Sequence, residues 1–474
     1  MEYIRNKDKK ERGIALFWVA AVLVLLLAFS GLAIDLGRGY LVKAHLSKAV
    51  DGAALAAARV IGNGQSAATT EANKIFRANF PDGFLGVRLV PNPYPPSLAF
   101  STDAEGSNVI DVSSTAAIDT TFMRIAGFNN LTVRSSSQAA RRLVDMSLVI
   151  DKSGSIGSDW PLVQAAATDF VESFDDTQDR ISLIMYSSNT VVFDPINTGR
   201  GFNKSSLTGH IAAGTSQGFT ATSEGLYRGW DELRRVPSNT QSGLRVIVLF
   251  TDGSPNSWSG NFTVAPGSSA AQGVINTNDF PAQGGNSTNT PQMFGLTQTL
   301  GTPSNPANQS LWSGQSTASS NIDLSWTGTP RIDFPLPTQS FHPTPSSAGI
   351  PTQFNLVDSS LVGGDRPVGT APTVRNMNNA ARNLVEIIAN QARSDTSGAH
   401  RIRIYTLGLG VLLTLPGGAP MERGDDILKR IANDPSSPNF NPAQKPGQYF
   451  FAGDATQLDA AFKAIRSQIT RLTE

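Results

Sequence analysis

The feature that most restricts the fold of this chain is an uncharged apolar run of 21 residues, from Ile14 to Ile34. A helix of that length extends roughly 30 Å, which matches the hydrocarbon thickness of a bilayer. The alternative is a cleaved signal peptide, whose apolar core is usually only about 7–15 residues long and ends in a small-residue cleavage site that this sequence lacks. The run therefore predicts a single uncleaved transmembrane helix at 14–34.

The basic residues around this run predict how the helix is oriented. Residues 1–13 form a basic segment, whereas the basic residues after the run are fewer and more widely spaced. Those of the first segment are Arg5, Lys7, Lys9, Lys10 and Arg12. Because positive side chains are retained on the cytoplasmic side, we expect the N-terminus inside the cell and the chain after Asp35 outside.

The composition excludes several classes of function. The 474 residues carry 38 basic and 38 acidic side chains, and a net charge of zero disfavours nucleic-acid binding, which needs a basic surface. Because the chain has no cysteine, it forms neither disulfides nor thiolate metal sites. Its histidines occur singly and without metal-binding spacing, at His45, His210, His342 and His400.

Residues 35–142 are expected to form a small α+β stem. The segment Tyr40–Val60 is rich in alanine, and its apolar residues recur on one helical face. Gly37 and Gly39 allow a hinge between this helix and the membrane helix, although the helix can also continue through them. Two later segments rich in β-branched residues predict strands at 86–90 and 108–118, and the segments 120–128 and 131–140 suggest a short helix and a further strand.

About the first 140 residues resemble the N-terminal module of the TadG-like proteins of tight-adherence (Flp) pilus systems. In that family an acid-Leu-Gly-Arg element and an alanine-rich helix follow the membrane anchor, and here they correspond to Asp35–Arg38 and Asp51–Ala58. Prepilin-type processing would need a glutamate five positions after a glycine, and Gly13 is followed there by Trp18. The resemblance implies a pilin-like stem anchored in the cytoplasmic membrane of a bacterium, rather than a processed pilin subunit.

From residue 143 to residue 474, apolar strands alternate with amphipathic helices, which predicts a doubly wound, mostly parallel α/β sheet. The predicted strands are 144–150, 180–186, 244–250, 401–410 and 449–453. The predicted helices are 162–174, 222–235, 377–392 and 456–472. Ligands of such sheets bind beyond the carboxyl ends of the strands, so the residues there are candidates for function.

Oxygen-bearing side chains gather at that edge of the predicted sheet. Asp151, Ser153 and Ser155 follow the first strand in a D-x-S-x-S pattern. Asp252 follows the 244–250 strand, and Thr220 lies in the loop before the 222–235 helix. Two carboxylates and three hydroxyls suit a hard divalent cation, Mg²⁺ or Mn²⁺. Helix capping or turn formation is the alternative for Asp151 and Ser153, but it does not explain the matching residues in two other loops.

The set resembles the metal-ion-dependent adhesion site of the von Willebrand factor A (vWA) fold. The family's D-x-S-x-S pattern, its loop threonine and its T-D-G aspartate all have counterparts among these five residues. The family loop usually has the sequence G-G-T, whereas Gly218-Phe219-Thr220 stands here and keeps the hydroxyl. The resemblance implies a cation-dependent protein-binding domain in which a partner's Asp or Glu carboxylate completes the metal coordination.

A segment of about 120 residues, 254–374, interrupts the expected fold directly after Asp252. It is rich in Ser, Thr, Asn, Gly and Pro and has few charges, as is typical of flexible coil. It also contains Trp258, Trp312 and Trp326, which begin the similar tetrads WSGN, WSGQ and WTGT. These tryptophans favour partial order, and two interpretations stay open: a β-rich flap beside the metal, or S-G and T-G turns that pack a ring on the edge of the sheet.

Three functional hypotheses follow. The leading one is a membrane-anchored, extracytoplasmic, divalent-cation-dependent protein-binding module for adhesion or assembly, linked to a tight-adherence pilus or to other envelope components. The second is a structural envelope scaffold in which the metal only stabilises the fold. The third is an enzyme, which we do not expect, because no phosphate-binding loop, nucleophile elbow or paired histidines occur.

Overall fold

The structure, a computed structural model, describes residues 2–90, 96–103, 107–188, 190–262, 271–276, 292–295, 336–342, 345–356, 366–370, 374–417 and 422–469. The chain forms two compact units that divide between Arg141 and Arg142. Each unit has its own hydrophobic core.

The first unit begins with α1 (Glu2–Val60), a continuous helix of 59 residues. The chain stays helical through Gly37 and Gly39, so the hinge alternative is wrong, and no break separates the basic segment, the apolar run and the stem. The helix is long and apolar enough to cross a membrane, and its apolar window has a mean hydropathy of 2.6 with only 6% of the window buried. The C-terminal half of α1 instead buries one face, which includes Val42 and Leu46.

The rest of the first unit is a second helix and a four-stranded antiparallel sheet. These elements are α2 (Gln65–Asn79), β1 (Val87–Val90), β2 (Ser97–Thr102), β3 (Asn108–Asp119) and β4 (Asn130–Arg141). β3 is central, with β1 and β2 along one edge and β4 along the other. The buried face of α1 packs with α2 and this sheet in one core. The expected α+β composition of the stem is therefore confirmed, although α2 and β2 were not anticipated.

The second unit is built on a six-stranded sheet. Its strands are β5 (Val144–Asp151), β6 (Arg180–Tyr186), β7 (Thr190–Asp194), β8 (Leu244–Thr251), β12 (Ile402–Leu409) and β15 (Gln448–Ala452). The strand order is β15-β12-β8-β5-β6-β7, and all neighbours are parallel except the edge strand β7, which is antiparallel to β6. The predicted mostly parallel α/β sheet is confirmed, and its strands β5, β6 and β8 are buried along their whole length.

Helices cover both faces of this sheet, as double winding requires. One face is covered by α3 (Trp160–Glu172), α4 (Lys204–Ala213) and α8 (Leu458–Ile469). The other face is covered by α5 (Thr222–Arg235), α6 (Val374–Ser394) and α7 (Gly424–Ala432). The sequence did not predict α4 and α7, since both are short and α4 buries only Leu207 and Ile211.

The described parts of the 254–374 insertion are rich in β-structure. β9 (Ser257–Phe262), β10 (Ala271–Asn276) and β11 (Gln292–Gly295) form an antiparallel sheet in the order β11-β10-β9. For these residues partial order is confirmed and the coil interpretation is wrong. A two-residue ladder, β13 (Pro416–Gly417) with β14 (Glu422–Arg423), precedes α7.

The insertion contributes to the core of the second unit. Trp258 is 1% exposed and belongs to the hydrophobic cluster beneath α5 and α6. Further along the insertion, the Nδ1 atom of His342 lies 2.5 Å from a carboxylate oxygen of Glu224, and its ring stacks on that of Tyr227 at 4.4 Å. Trp312 and Trp326 lie outside the described residues.

Candidate functional site

The register of the two central strands brings the first and third site loops together. β5 ends at Asp151 and β8 ends at Thr251, and the two strands pair in parallel with Ile150 opposite Phe250. The residues that follow therefore leave the sheet side by side, although about 100 residues separate them in sequence. Asp151 is fully buried and Asp252 is nearly so.

Both serines of the D-x-S-x-S pattern contact Asp252. The Ser155 hydroxyl donates a hydrogen bond of 2.8 Å to Asp252 Oδ1, and the Ser153 hydroxyl donates to the same oxygen at 3.3 Å. The two serine Oγ atoms are 3.1 Å apart. Three of the predicted ligands from two loops thus share one small polar cluster.

Asp151 is held in place through both carboxylate oxygens. The Ser153 backbone N–H donates to Oδ1 at 2.8 Å, and the Thr251 hydroxyl donates to Oδ2 at 2.6 Å. Thr251 also accepts a hydrogen bond from the Gly253 N–H at 3.2 Å. Sequence reasoning assigned no role to Thr251, because its contact with Asp151 arises only from the pairing of β5 with β8.

Thr220 is 3% exposed and lies beside the loop that carries Asp252. A Cβ atom placed on Gly253 would be 3.7 Å from Thr220 Oγ1. The Thr220 N–H donates to Asn256 Oδ1 at 2.8 Å, and the Asn256 N–H donates back to the Thr220 carbonyl at 3.2 Å. Asn256, another residue that sequence reasoning missed, therefore fixes the second loop to the third.

The loop of Thr220 also docks on the D-x-S-x-S loop. The Gly154 N–H donates to the Gly218 carbonyl at 3.0 Å, and the Gln217 N–H donates to the Lys152 carbonyl at 2.7 Å. Phe219, which replaces the usual second glycine, donates its N–H to Ser188 Oγ at 3.1 Å. The three loops that carry the five predicted ligands are thus mutually hydrogen-bonded.

Gly218 has a φ of +85°, and a Cβ atom there would lie 2.7 Å from Ser188 Oγ. We predict that Gly218→Ala displaces this loop, costs about 1–3 kcal/mol of stability and lowers Mg²⁺ affinity. Isothermal titration calorimetry and chemical unfolding measure the two effects. Gly209→Ala is the matched control, because Gly209 lies on α4 with open space around it. Equal Mg²⁺ affinities for the two variants would contradict the role assigned to the loop.

Electrostatics make this site suitable for a cation. Burial raises the pKa of Asp151 to about 7, and the charge of Asp252 adds to this shift. Burial likewise raises the pKa of Asp252 to about 6, against the hydrogen bonds from the serine hydroxyls. A divalent cation would offset the cost of keeping both carboxylates charged.

Lys152 lies next to Asp151 in sequence, and the charge of Asp151 acts on its ammonium group. Its Nζ atom contacts the Thr215 carbonyl at 3.4 Å, and burial lowers the pKa of this side chain to about 8. Among the residues described, no group of three or more His, Asp or Glu side chains is placed to hold a metal, and this site contributes only two carboxylates. Its all-oxygen donor set nevertheless fits a small hard cation that keeps some of its water.

We predict that Mg²⁺ stabilises the protein more at pH 7.5 than at pH 5. The pKa values of both carboxylates are raised above the ordinary value of 3.8, so the metal-free folded state binds more protons than the unfolded state. The contribution of these two carboxylates to the free energy of unfolding should therefore fall as the pH rises from about 4 to about 7. Mg²⁺ replaces those protons. The stabilisation of the folded state by Mg²⁺ should therefore be larger at pH 7.5 than at pH 5, by at least about 1 kcal/mol.

Thermal unfolding with and without Mg²⁺ at the two pH values measures this effect. The double variant Asp151→Asn, Asp252→Asn should lose the part of this pH dependence that comes from the two carboxylates, and it should no longer respond to Mg²⁺. The prediction is wrong if Mg²⁺ raises Tm of the unmodified protein equally at both pH values.

Comparison with known protein families identifies two segments of the chain. Residues 145–277 match the family model of the von Willebrand factor type A domain, and residues 13–60 match that of Flp pilus-assembly TadE/G-like sequences. Both family resemblances inferred from the sequence are confirmed, the TadG-like one for residues 13–60 of the first 140, and the second unit has the vWA fold. The vWA match ends inside the insertion, and β12 and β15 complete the sheet after it.

Several solved structures are similar at low sequence identity. The vWF domain of the type V pili tip protein Mfa5 from Porphyromonas gingivalis is 20% identical, with 70% of this chain and 97% of that chain covered and a TM-score of 0.35. The PilB minor pilin from Streptococcus sanguinis is 14% identical, with 81% and 78% covered and a TM-score of 0.35. Proximal thread matrix protein 1 from the mussel byssus is 12% identical, with 70% and 48% covered and a TM-score of 0.32. This chain thus spans about half the length of the mussel protein.

Proposed function

We propose that this chain is a membrane-anchored, extracytoplasmic module that binds a protein partner through a divalent cation, Mg²⁺ or Mn²⁺, held by its vWA domain. The observation that carries the proposal is the meeting of three hydrogen-bonded loops around the buried carboxylates of Asp151 and Asp252. The remaining ligands are the hydroxyls of Ser153, Ser155 and Thr220. The TadE/G-like segment supports a role in adhesion or assembly associated with a tight-adherence pilus.

The chemistry of the proposed metal ligands explains why the partner would supply an acidic side chain. A cation held mainly through neutral hydroxyls keeps much of its positive charge, and it keeps water ligands that another oxygen can replace. Asp151 already accepts hydrogen bonds on both oxygens from Thr251 and the Ser153 backbone, which holds it as a fixed part of the site. A carboxylate of Asp or Glu on the partner is the ligand that best completes such a cation. Binding rather than catalysis is therefore the proposed activity.

Anchoring is proposed to occur through the apolar part of α1. Its exposed apolar side chains, such as Leu23, Leu27 and Phe29, would face the lipid of a bacterial cytoplasmic membrane. The basic segment at 1–13 would remain in the cytoplasm, and the stem and the vWA domain would lie outside it.

A pull-down from envelope extracts with the full chain, with and without EDTA, tests the proposal. The unmodified protein should capture a partner only when divalent cation is present, and Asp151→Ala should capture none while staying folded. Asp176→Ala, which removes an exposed carboxylate outside the site, should behave as the unmodified protein.

A structural scaffold is the second candidate, favoured by the mutual hydrogen bonds of the three loops. Unfolding of Asp151→Ala, judged by circular dichroism, would support that candidate. Capture of the same partner in EDTA would contradict the proposed cation dependence.

A further inference from the structure

Four apolar side chains of the first unit are exposed on two short loops. Ile125 is 89% exposed, Phe128 59%, Leu85 44% and Phe122 41%. Single exposed apolar residues are common on proteins, but here three large ones fall within the seven residues 122–128, which points to a partner for this loop. We refer to Leu85, Phe122, Ile125 and Phe128 as the apolar rim.

The loop that carries most of the rim is fixed to α1 at the end of the apolar run. Asp35, the first residue after the run, is 3% exposed. Its carboxylate accepts hydrogen bonds from the backbone N–H groups of Thr121 at 3.1 Å, Phe122 at 2.8 Å and Met123 at 2.8 Å. One side chain of the helix therefore holds three consecutive residues of the loop.

Arg38 holds the other loop of the rim at nearly the same level along the axis of α1 as Asp35 holds the first. Its Nε atom donates to the Leu85 carbonyl at 3.0 Å, and its Nη1 atom donates to the Asp119 carbonyl at 3.1 Å. Asp35 and Arg38 are the two charged residues of the acid-Leu-Gly-Arg element found in the sequence. The structure assigns to this element the positioning of both loops against α1.

The rim extends back along α1 into the apolar run. A Cβ atom on Gly31 would lie 2.5 Å from Phe122 Cβ, so Phe122 packs closely against the helix at Gly31. Gly31 precedes Ile34, the last residue of the run, by three residues, or about 4.5 Å along the helix axis. Phe122 is therefore level with the end of the predicted membrane span.

We propose that the apolar rim inserts into the outer interfacial layer of the lipid bilayer that α1 spans; this rests on the proposed membrane anchoring. Lipid is the occupant because the rim lies at the level along α1 where the exposed apolar residues Ile34 and Leu36, 57% and 48% exposed, end the predicted membrane span. Tyr40, 75% exposed and further along α1, belongs to a residue type enriched at membrane–water interfaces. The rim gives the stem a second contact with the membrane and limits the tilt of α1.

Spin labels test this inference, because the chain has no cysteine and any introduced cysteine is unique. The full-length variant Ile125→Cys carries a nitroxide label in vesicles of phosphatidylethanolamine and phosphatidylglycerol. Electron paramagnetic resonance then measures collisions of the label with oxygen, which concentrates in lipid, and with a water-soluble nickel chelate. Leu25→Cys reports on the membrane span, and Asn63→Cys reports on water, since Asn63 is exposed beyond the far end of α1.

We expect high oxygen and low nickel accessibility at Ile125 and Leu25, and the reverse at Asn63. Phe128→Cys should repeat the Ile125 result. Nickel accessibility at Ile125 as high as at Asn63, with Leu25 still shielded, would overturn the rim proposal and leave the anchor intact. Low accessibility to both reagents at Ile125 would place a protein partner or a second copy on the rim and would also overturn the proposal. High nickel accessibility at Leu25 would overturn the anchor and the rim together.

Discussion

Replacing Asp252 by alanine is expected to reduce Mg²⁺ affinity by at least about 100-fold while leaving the vWA domain folded. Loss of an outer partner of a metal ligand typically costs about 10–100-fold, and Asp252 contributes one of only two carboxylates in the site. The two serine hydroxyls that donate to Asp252 would also lose the acceptor that orients them. Isothermal titration calorimetry with Mg²⁺ measures the loss directly.

The same variant separates a binding role of the carboxylate from a structural one. Without metal, Asp252→Ala should be at least as stable as the unmodified protein at neutral pH, because one of two buried, mutually repelling carboxylates is gone. Asp176→Ala controls for the loss of a negative charge alone and should keep full affinity. Unchanged Mg²⁺ affinity in Asp252→Ala would remove this residue from the metal site.

Trp258→Ala is expected to destabilise the second unit by about 3–5 kcal/mol, although Trp258 lies in the insertion. The side chain is 1% exposed within the cluster that also contains residues of α5 and α6. Its strand begins directly after Asn256, whose amide holds Thr220 in place. We therefore expect weaker Mg²⁺ binding as well as a lower free energy of unfolding.

Chemical unfolding of the variant measures this cost. Asn261→Ala, on the same strand but half-buried, is the control and should change stability by no more than about 0.5 kcal/mol. A cost below about 1 kcal/mol for Trp258→Ala would mean that the insertion is not part of the core.

The central strands and the predicted ligands were accessible from sequence for local reasons. β5 and β8 are buried on both faces, and they therefore stand out as uninterrupted apolar runs. The D-x-S-x-S and T-D-G patterns directly follow those runs, so the rule that ligands bind at the carboxyl edge of the sheet was enough to bring them together. The metal itself stays a prediction until it is measured.

Other features depend on contacts that a sequence does not reveal. β7 is a five-residue edge strand, and α4 buries two side chains, so neither has a long periodic pattern. The roles of Thr251 and Asn256 arise from the strand register and from a bond between two distant loops. The burial of Trp258 likewise follows from the packing of the insertion against α5 and α6, which its polar composition concealed.

Titration of the purified full-length protein with Mn²⁺, followed by electron paramagnetic resonance, tests the central claim most directly. We predict saturable binding of one ion per chain that Mg²⁺ displaces and EDTA reverses. Absence of saturable Mn²⁺ uptake by a folded protein would contradict the claim that its five oxygen-bearing side chains form a metal site.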